Sequence, residues 1–172
     1  MRYGQAAKNI ANIAIMAAIL IAAKFALHFI PNVEVVTPLI IVFTCVFGFK
    51  RVIFSVLVFC LLDNYLYSFS YLVTIQYFFH WPLLCLLAEI TYKIFKQSVL
   101  AFTVLAAFAA ILFWIETPTI EAIFQFSLFV PTLVKGILFL IPMLISGTAV
   151  TFLTYKPLYR SLAKIKDKTL NN

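Results

Sequence analysis

Six apolar stretches, at about 10–30, 36–49, 52–69, 73–94, 98–115 and 130–155, follow one another along this chain with only short or aromatic connections. A helix that crosses a bilayer needs roughly 20 mostly apolar residues, and five of these stretches have 18 residues or more. A soluble domain of 172 residues has no interior large enough for a chain that is 65% apolar, and 11% charged residues cannot cover its outside. The pattern predicts one all-α integral membrane domain over residues 1–172, with six transmembrane helices.

The second stretch is the short one. Its fourteen residues reach only about 21 Å, so it is expected to be tilted, extended by turn residues, or covered by other helices. Pro38 suits its first turn, where a missing N–H is harmless. The first stretch ends in Ile30-Pro31-Asn32 without a small-residue cleavage pattern, and is expected to be retained as a span. Cys45, Cys60 and Cys85 all fall within apolar runs, form no C-x-x-C pair, and read as small core residues.

The connections alternate in charge. Arg2 and Lys8 precede the first run, Lys50 and Arg51 separate the second and third, Lys93 and Lys96 the fourth and fifth, and the tail carries Lys156, Arg160, Lys164, Lys166 and Lys168. Eleven of the thirteen basic residues thus fall on one side, which the positive-inside rule makes cytoplasmic. Both termini are then cytoplasmic, and the net charge of +7 needs no nucleic-acid partner. The tail reads either as a solvated end or as an amphipathic helix on anionic lipid.

The other side is richer. Its connections are 28–36, with Asn32 and Glu34; 63–74, with Asp63, Asn64 and Tyr67; and 114–135, with Glu116, Glu121, Gln125 and Lys135. Asp63 lies about 18 Å along a helix that begins near Arg51, inside the apolar slab, where a charge costs roughly 2.5–3.5 kcal/mol. It must face protein, water or a ligand, and Lys24 or Lys135 are its candidate counter-charges. Gln76 with His80, and Tyr77 with Trp81, stand at i, i+4 and cover one face of the fourth helix. That face suits a flat heteroaromatic ligand; the other reading is an aromatic belt at headgroup level. Lys24 and His28 share the outer end of the first helix, where Lys24 is also close enough to snorkel.

Catalytic patterns are missing from the sequence: there is no G-x-S-x-G, no Walker loop, no H-E-x-x-H and no paired carboxylates on one helix face. No enzyme activity, metal or cofactor is expected, and any active pumping must draw its energy from another subunit.

Ala14-x-x-x-Ala18-x-x-x-Ala22 in the first helix is followed by Pro31-Asn32-Val33-Glu34-Val35-Val36-Thr37 and, at an inner turn, by Phe47-Gly48-Phe49-Lys50. With Leu61 to Phe69 and Tyr77 to Trp81, these segments resemble the substrate-binding S-component of energy-coupling factor (ECF) vitamin transporters, especially corrinoid-type or uncharacterised members. Where those members have glutamate-glycine and tyrosine-glycine pairs, this chain has Asp63-Asn64 and Tyr67-Ser68. The resemblance implies a multi-pass protein of the bacterial plasma membrane that holds a vitamin-sized ligand near its outer face. It also implies that Ala14, Ala18 and Ala22 dock on a shared transmembrane coupling subunit driven by two ATPases, since small side chains let helices approach closely in lipid. The ligand-binding set is then expected among Lys24, His28, Asn32, Glu34, Asp63, Asn64, Tyr67, Gln76, Tyr77, His80, Trp81, Gln125 and Lys135. The rival reading is a non-catalytic scaffold, such as the small six-span component of the bacterial rod-shape machinery.

Overall fold

The structure, a computed structural model, describes residues 2–27, 29–30, 33–67 and 70–170; among them are six α-helices, one short 3₁₀ turn and no strand. The helices are α1 (Arg2–Ala26), α2 (Val36–Phe47), α3 (Phe49–Tyr67), α4 (Tyr71–Phe95), α5 (Val99–Phe124) and α6 (Phe129–Leu170), with the 3₁₀ turn at Phe126–Leu128. Four helical stretches, Ala6–Ala26, Tyr71–Phe95, Val99–Phe124 and Phe126–Lys166, are long and apolar enough to cross a membrane. α3 falls short through its charges, because Lys50, Arg51 and Asp63 lie within nineteen residues. α2 is apolar but has only twelve residues, about 18 Å.

α2 is the centre of the bundle. Ten of its twelve residues are buried, and it touches each of the other five helices. A helix apolar on all sides belongs in a core, so covering by neighbours accounts for its shortness. Its Thr44 hydroxyl donates to the Ile40 carbonyl at 2.8 Å and leaves no free polar group there. Around α2 the others form an incomplete ring: α3 packs between α1 and α4, α5 between α4 and α6, while the described residues of α1 and α6 do not pack on each other.

A single residue, Gly48, joins α2 to α3 at φ 83° and ψ 152°. Only glycine adopts that region without strain. Its N–H closes α2 on the Thr44 carbonyl at 2.9 Å, and its carbonyl accepts from Arg51 N at 3.2 Å.

The stretch 114–135 departs from the expected outer connection. α5 continues to Phe124 through buried Pro118, and Thr117 and Thr119 on either side of it return their hydroxyls to the Phe113 and Ile115 carbonyls at 3.2 and 2.7 Å. The chain then turns at 125–128 and re-enters α6. Trp114, half-buried, lies against Gly136 and donates its indole N–H to the Leu133 carbonyl at 2.9 Å. A Cβ at position 136 would stand 2.7 Å from that ring, so glycine permits this close helix approach.

α6 is 42 residues long, about 63 Å if straight and twice the thickness of a bilayer core. The basic tail is therefore its continuation. Lys166 donates to the Val46 carbonyl at 2.7 Å, and Tyr159 meets Tyr92 at 3.0 Å and Gln97 at 3.2 Å. These contacts place the start of α1, the α2–α3 turn, the α4–α5 turn and the later part of α6 at one end of the bundle. The helices alternate in direction, and basic residues gather at that end.

Candidate functional site

The site lies at the opposite end, where α1 finishes. Lys24 projects from the last turn of α1 towards α3 and α4, with its Nζ 2.7 and 2.8 Å from the two Asp63 oxygens. It also donates to the Tyr77 hydroxyl at 2.9 Å and stands 4.6 Å from the Tyr77 ring centroid. Asp63 is 1% exposed and Lys24 25%, so this pair carries the charge that α3 brings into the apolar region. Among the two counter-charges the sequence offers, Lys24 is the partner. Lys135 is exposed elsewhere, beside Glu121 and Trp114, where it lines a separate cavity of about 450 Å³.

Leu27, Ile30 and residues 33–36, which follow α1, line the same cavity as Lys24. Glu34 Oε1 accepts from the backbone N–H groups of Val36 and Thr37 at 2.8 and 2.9 Å, and the Glu34 N–H donates to Ser146 Oγ at 2.9 Å. A carboxylate at a helix N-terminus satisfies orphan donors and complements the helix dipole, so Glu34 starts α2 and ties it to α6.

Between these groups is a cavity of about 320 Å³ whose polar and aromatic lining comes from Lys24, Glu34, Tyr77, Trp81 and Phe113, with Met143 of α6. Its volume falls at the lower end of the range for small-molecule sites. Tyr77 and Trp81, one helical turn apart, meet edge to face at 5.8 Å, and Phe113 completes the wall 6.3 Å from Trp81. Trp81 is 4% exposed, yet its indole Nε1 has no hydrogen-bond partner among the described residues. An orphaned buried donor costs about 1–3 kcal/mol. A neck of about 10 Å³ leads on between Glu34, Trp81 and His80, about the space of one water molecule. His80 Nδ1 is there engaged with Glu116 Oε2 at 2.8 Å, both side chains buried; the second Glu116 oxygen has no partner among the described residues.

The structure brings Lys24, Glu34, Tyr77 and Trp81 to the cavity wall, with Asp63 and His80 directly behind it. Tyr67 stands at the rim, its ring centroid 5.8 Å from the Lys24 ammonium. Other candidates point elsewhere. Gln76 bridges α4 to α5, donating to the Phe113 carbonyl and Thr117 Oγ1, both at 2.8 Å. Asn64 Oδ1 accepts from Thr74 Oγ1 and joins the ends of α3 and α4. Gln125 is exposed and donates to Ser127, so it and Lys135 lie away from the cavity. His28 and Asn32 lie outside the described residues. Ala14, Ala18 and Ala22 are all exposed on α1, on the side turned from buried Met16, Ala17 and Leu20.

Sequence reasoning left out Glu116, Phe113 and Met143. Glu116 carried a signal, since an acid at the edge of an apolar run needs a partner as Asp63 does; Phe113 and Met143 carried none among so many apolar residues. No family model, no curated protein and no solved structure matches the chain. The geometry of the site therefore stands alone as its functional evidence. Ion pairs and aromatic walls of this kind bind and orient. Among the described residues no three His, Cys, Asp or Glu side chains converge to hold a metal.

Proposed function

We propose that this chain is the substrate-binding membrane subunit of an ECF-type importer, with six membrane-crossing helices and both termini cytoplasmic. It captures a vitamin or related small molecule at the extracellular side and delivers it through a shared coupling subunit energised by two ATPases. The observation that carries this reading is the cavity beside Lys24, walled by Tyr77, Trp81 and Phe113, with the buried Trp81 donor left without a partner among the described residues. A neutral or anionic heteroaromatic ligand fits its chemistry: rings against Tyr77, Trp81 and Phe113, and an acceptor towards the indole N–H and the ammonium. The uncovered alanine stripe at 14, 18 and 22 supports the docking half of the proposal, and the basic residues gathered at the other end support its orientation.

Ala18→Trp separates the two roles. It is expected to abolish uptake into cells while the isolated subunit retains its small molecule at wild-type affinity. Binding and uptake lost together would contradict that division. Depletion that rounds the cells and leaves vitamin uptake intact would favour the scaffold reading instead.

A further inference from the structure

The ring around α2 is open between α1 and α6, and at the basic end of the bundle that opening holds a second cavity of about 350 Å³. Lys8, Arg51 and Lys166 line it, from three different helices, and among the described residues no carboxylate does. No described carboxylate pairs with any of the three. Lys166 gives one N–H to the Val46 carbonyl, which leaves two of its three donors. The rest of the lining is mainly apolar: Ile15 and Ile19 of α1, 57% and 39% exposed, face Phe47 of α2 across the gap. Cations and an apolar wall thus share one groove on the membrane-facing side.

We propose that this groove binds one anionic phospholipid, its phosphate among Lys8, Arg51 and Lys166 and an acyl chain along Ile15 and Ile19. A free phosphate would use the cations and leave the apolar wall uncovered. A zwitterionic lipid would bring its own ammonium towards three cations. An anionic lipid satisfies both parts, and it fills the gap that the described side chains of α1 and α6 leave open. The inference is independent of the ligand at the other end and requires only that the chain lies in a bilayer.

Native mass spectrometry of the full-length protein, delipidated in detergent and titrated with dioleoyl phosphatidylglycerol or dioleoyl phosphatidylcholine, tests it. One phosphatidylglycerol is expected to bind ahead of all others and ahead of phosphatidylcholine. The pair Lys8→Gln, Arg51→Gln should weaken that first lipid about twenty-five-fold, roughly fivefold per cation, and Ile15→Trp should weaken it by filling the wall. The pair Lys156→Gln, Lys164→Gln, exposed on the same basic end but outside the groove, should leave it unchanged. Equal loss in the control pair, or equal binding of phosphatidylcholine, would overturn the assignment. So would displacement by millimolar inorganic phosphate with no effect of Ile15→Trp, which would mark an ion site. If the charge pair fails to fold, Ile15→Trp decides alone, since its position is exposed.

Discussion

The two ends of the bundle hold cavities of nearly equal size, about 320 and 350 Å³, built by opposite means. At the Lys24 end the cation is matched: Lys24 has Asp63 and Tyr77, His80 has Glu116, and Glu34 is held by backbone donors. Without a hydrogen-bond partner there, among the described residues, are the Trp81 indole N–H and the second Glu116 oxygen. At the Arg51 end three cations meet no described carboxylate, and the rest of the lining is mainly apolar, with Phe43 and Phe47 beside Ile15 and Ile19. A lining of paired charges and aromatic rings selects one ligand shape, whereas an unpaired cationic groove accepts anything with an anionic head and an apolar tail. On the proposed reading, one end recognises a small molecule and the other holds a lipid.

The largest expected effect comes from unpairing the first end. Asp63→Leu leaves Lys24 without its carboxylate and should cost about 3 kcal/mol, read as a loss of thermal stability in detergent. Adding Lys24→Met should recover most of it. A double variant as unstable as the single one would mean that the pair is not what matches charge at this end.

Gly48→Ala tests the turn that frames the other cavity. Nothing lies within 4 Å of an added Cβ, so the cost is purely conformational, about 1–3 kcal/mol. Stability should fall by that amount while small-molecule retention at the far end stays at its wild-type level. A loss of retention would show that the two ends are coupled through α2.

Trp81→Phe keeps a ring and deletes the orphan donor. Retention of the small molecule should weaken several-fold, to about tenfold, measured by competition in detergent. Unchanged retention would remove the indole N–H from the recognition scheme.

Salt gives the smallest effect and sharpens the contrast most cheaply. Raising ionic strength from 0.1 to 1 M shortens the screening length from about 10 Å to about 3 Å. The first phosphatidylglycerol should weaken measurably, and the small molecule, whose cavity presents charges already paired within the protein, should change less than twofold.

Part of this was legible in the sequence. Asp63 inside an apolar run demanded a partner, and Lys24 was one of two candidates; three-dimensional crossing of α1 on α3 decided between them. The i, i+4 spacing of Tyr77 and Trp81 placed both on one face, and both line the cavity. The same spacing misled for Gln76, because a long amide can turn sideways and bond the neighbouring helix, here at Phe113 and Thr117. The stretch after position 114 read as a connection, but α5 runs on through Pro118 to Phe124. His80 and Glu116 are 36 residues apart, and no local pattern announces such a pair. The cationic groove was equally hidden: its three basic residues looked like unrelated inner turns until α1, α3 and α6 brought them together.

The most direct measurement is native mass spectrometry of the wild-type protein and of a Tyr77→Ala, Trp81→Ala variant, purified side by side from cells grown in rich medium. The wild type is predicted to carry one small molecule of defined mass, and the variant to have lost it while remaining folded. A wild-type protein that carries none, or the same mass on both proteins, would contradict a ligand site beside Lys24.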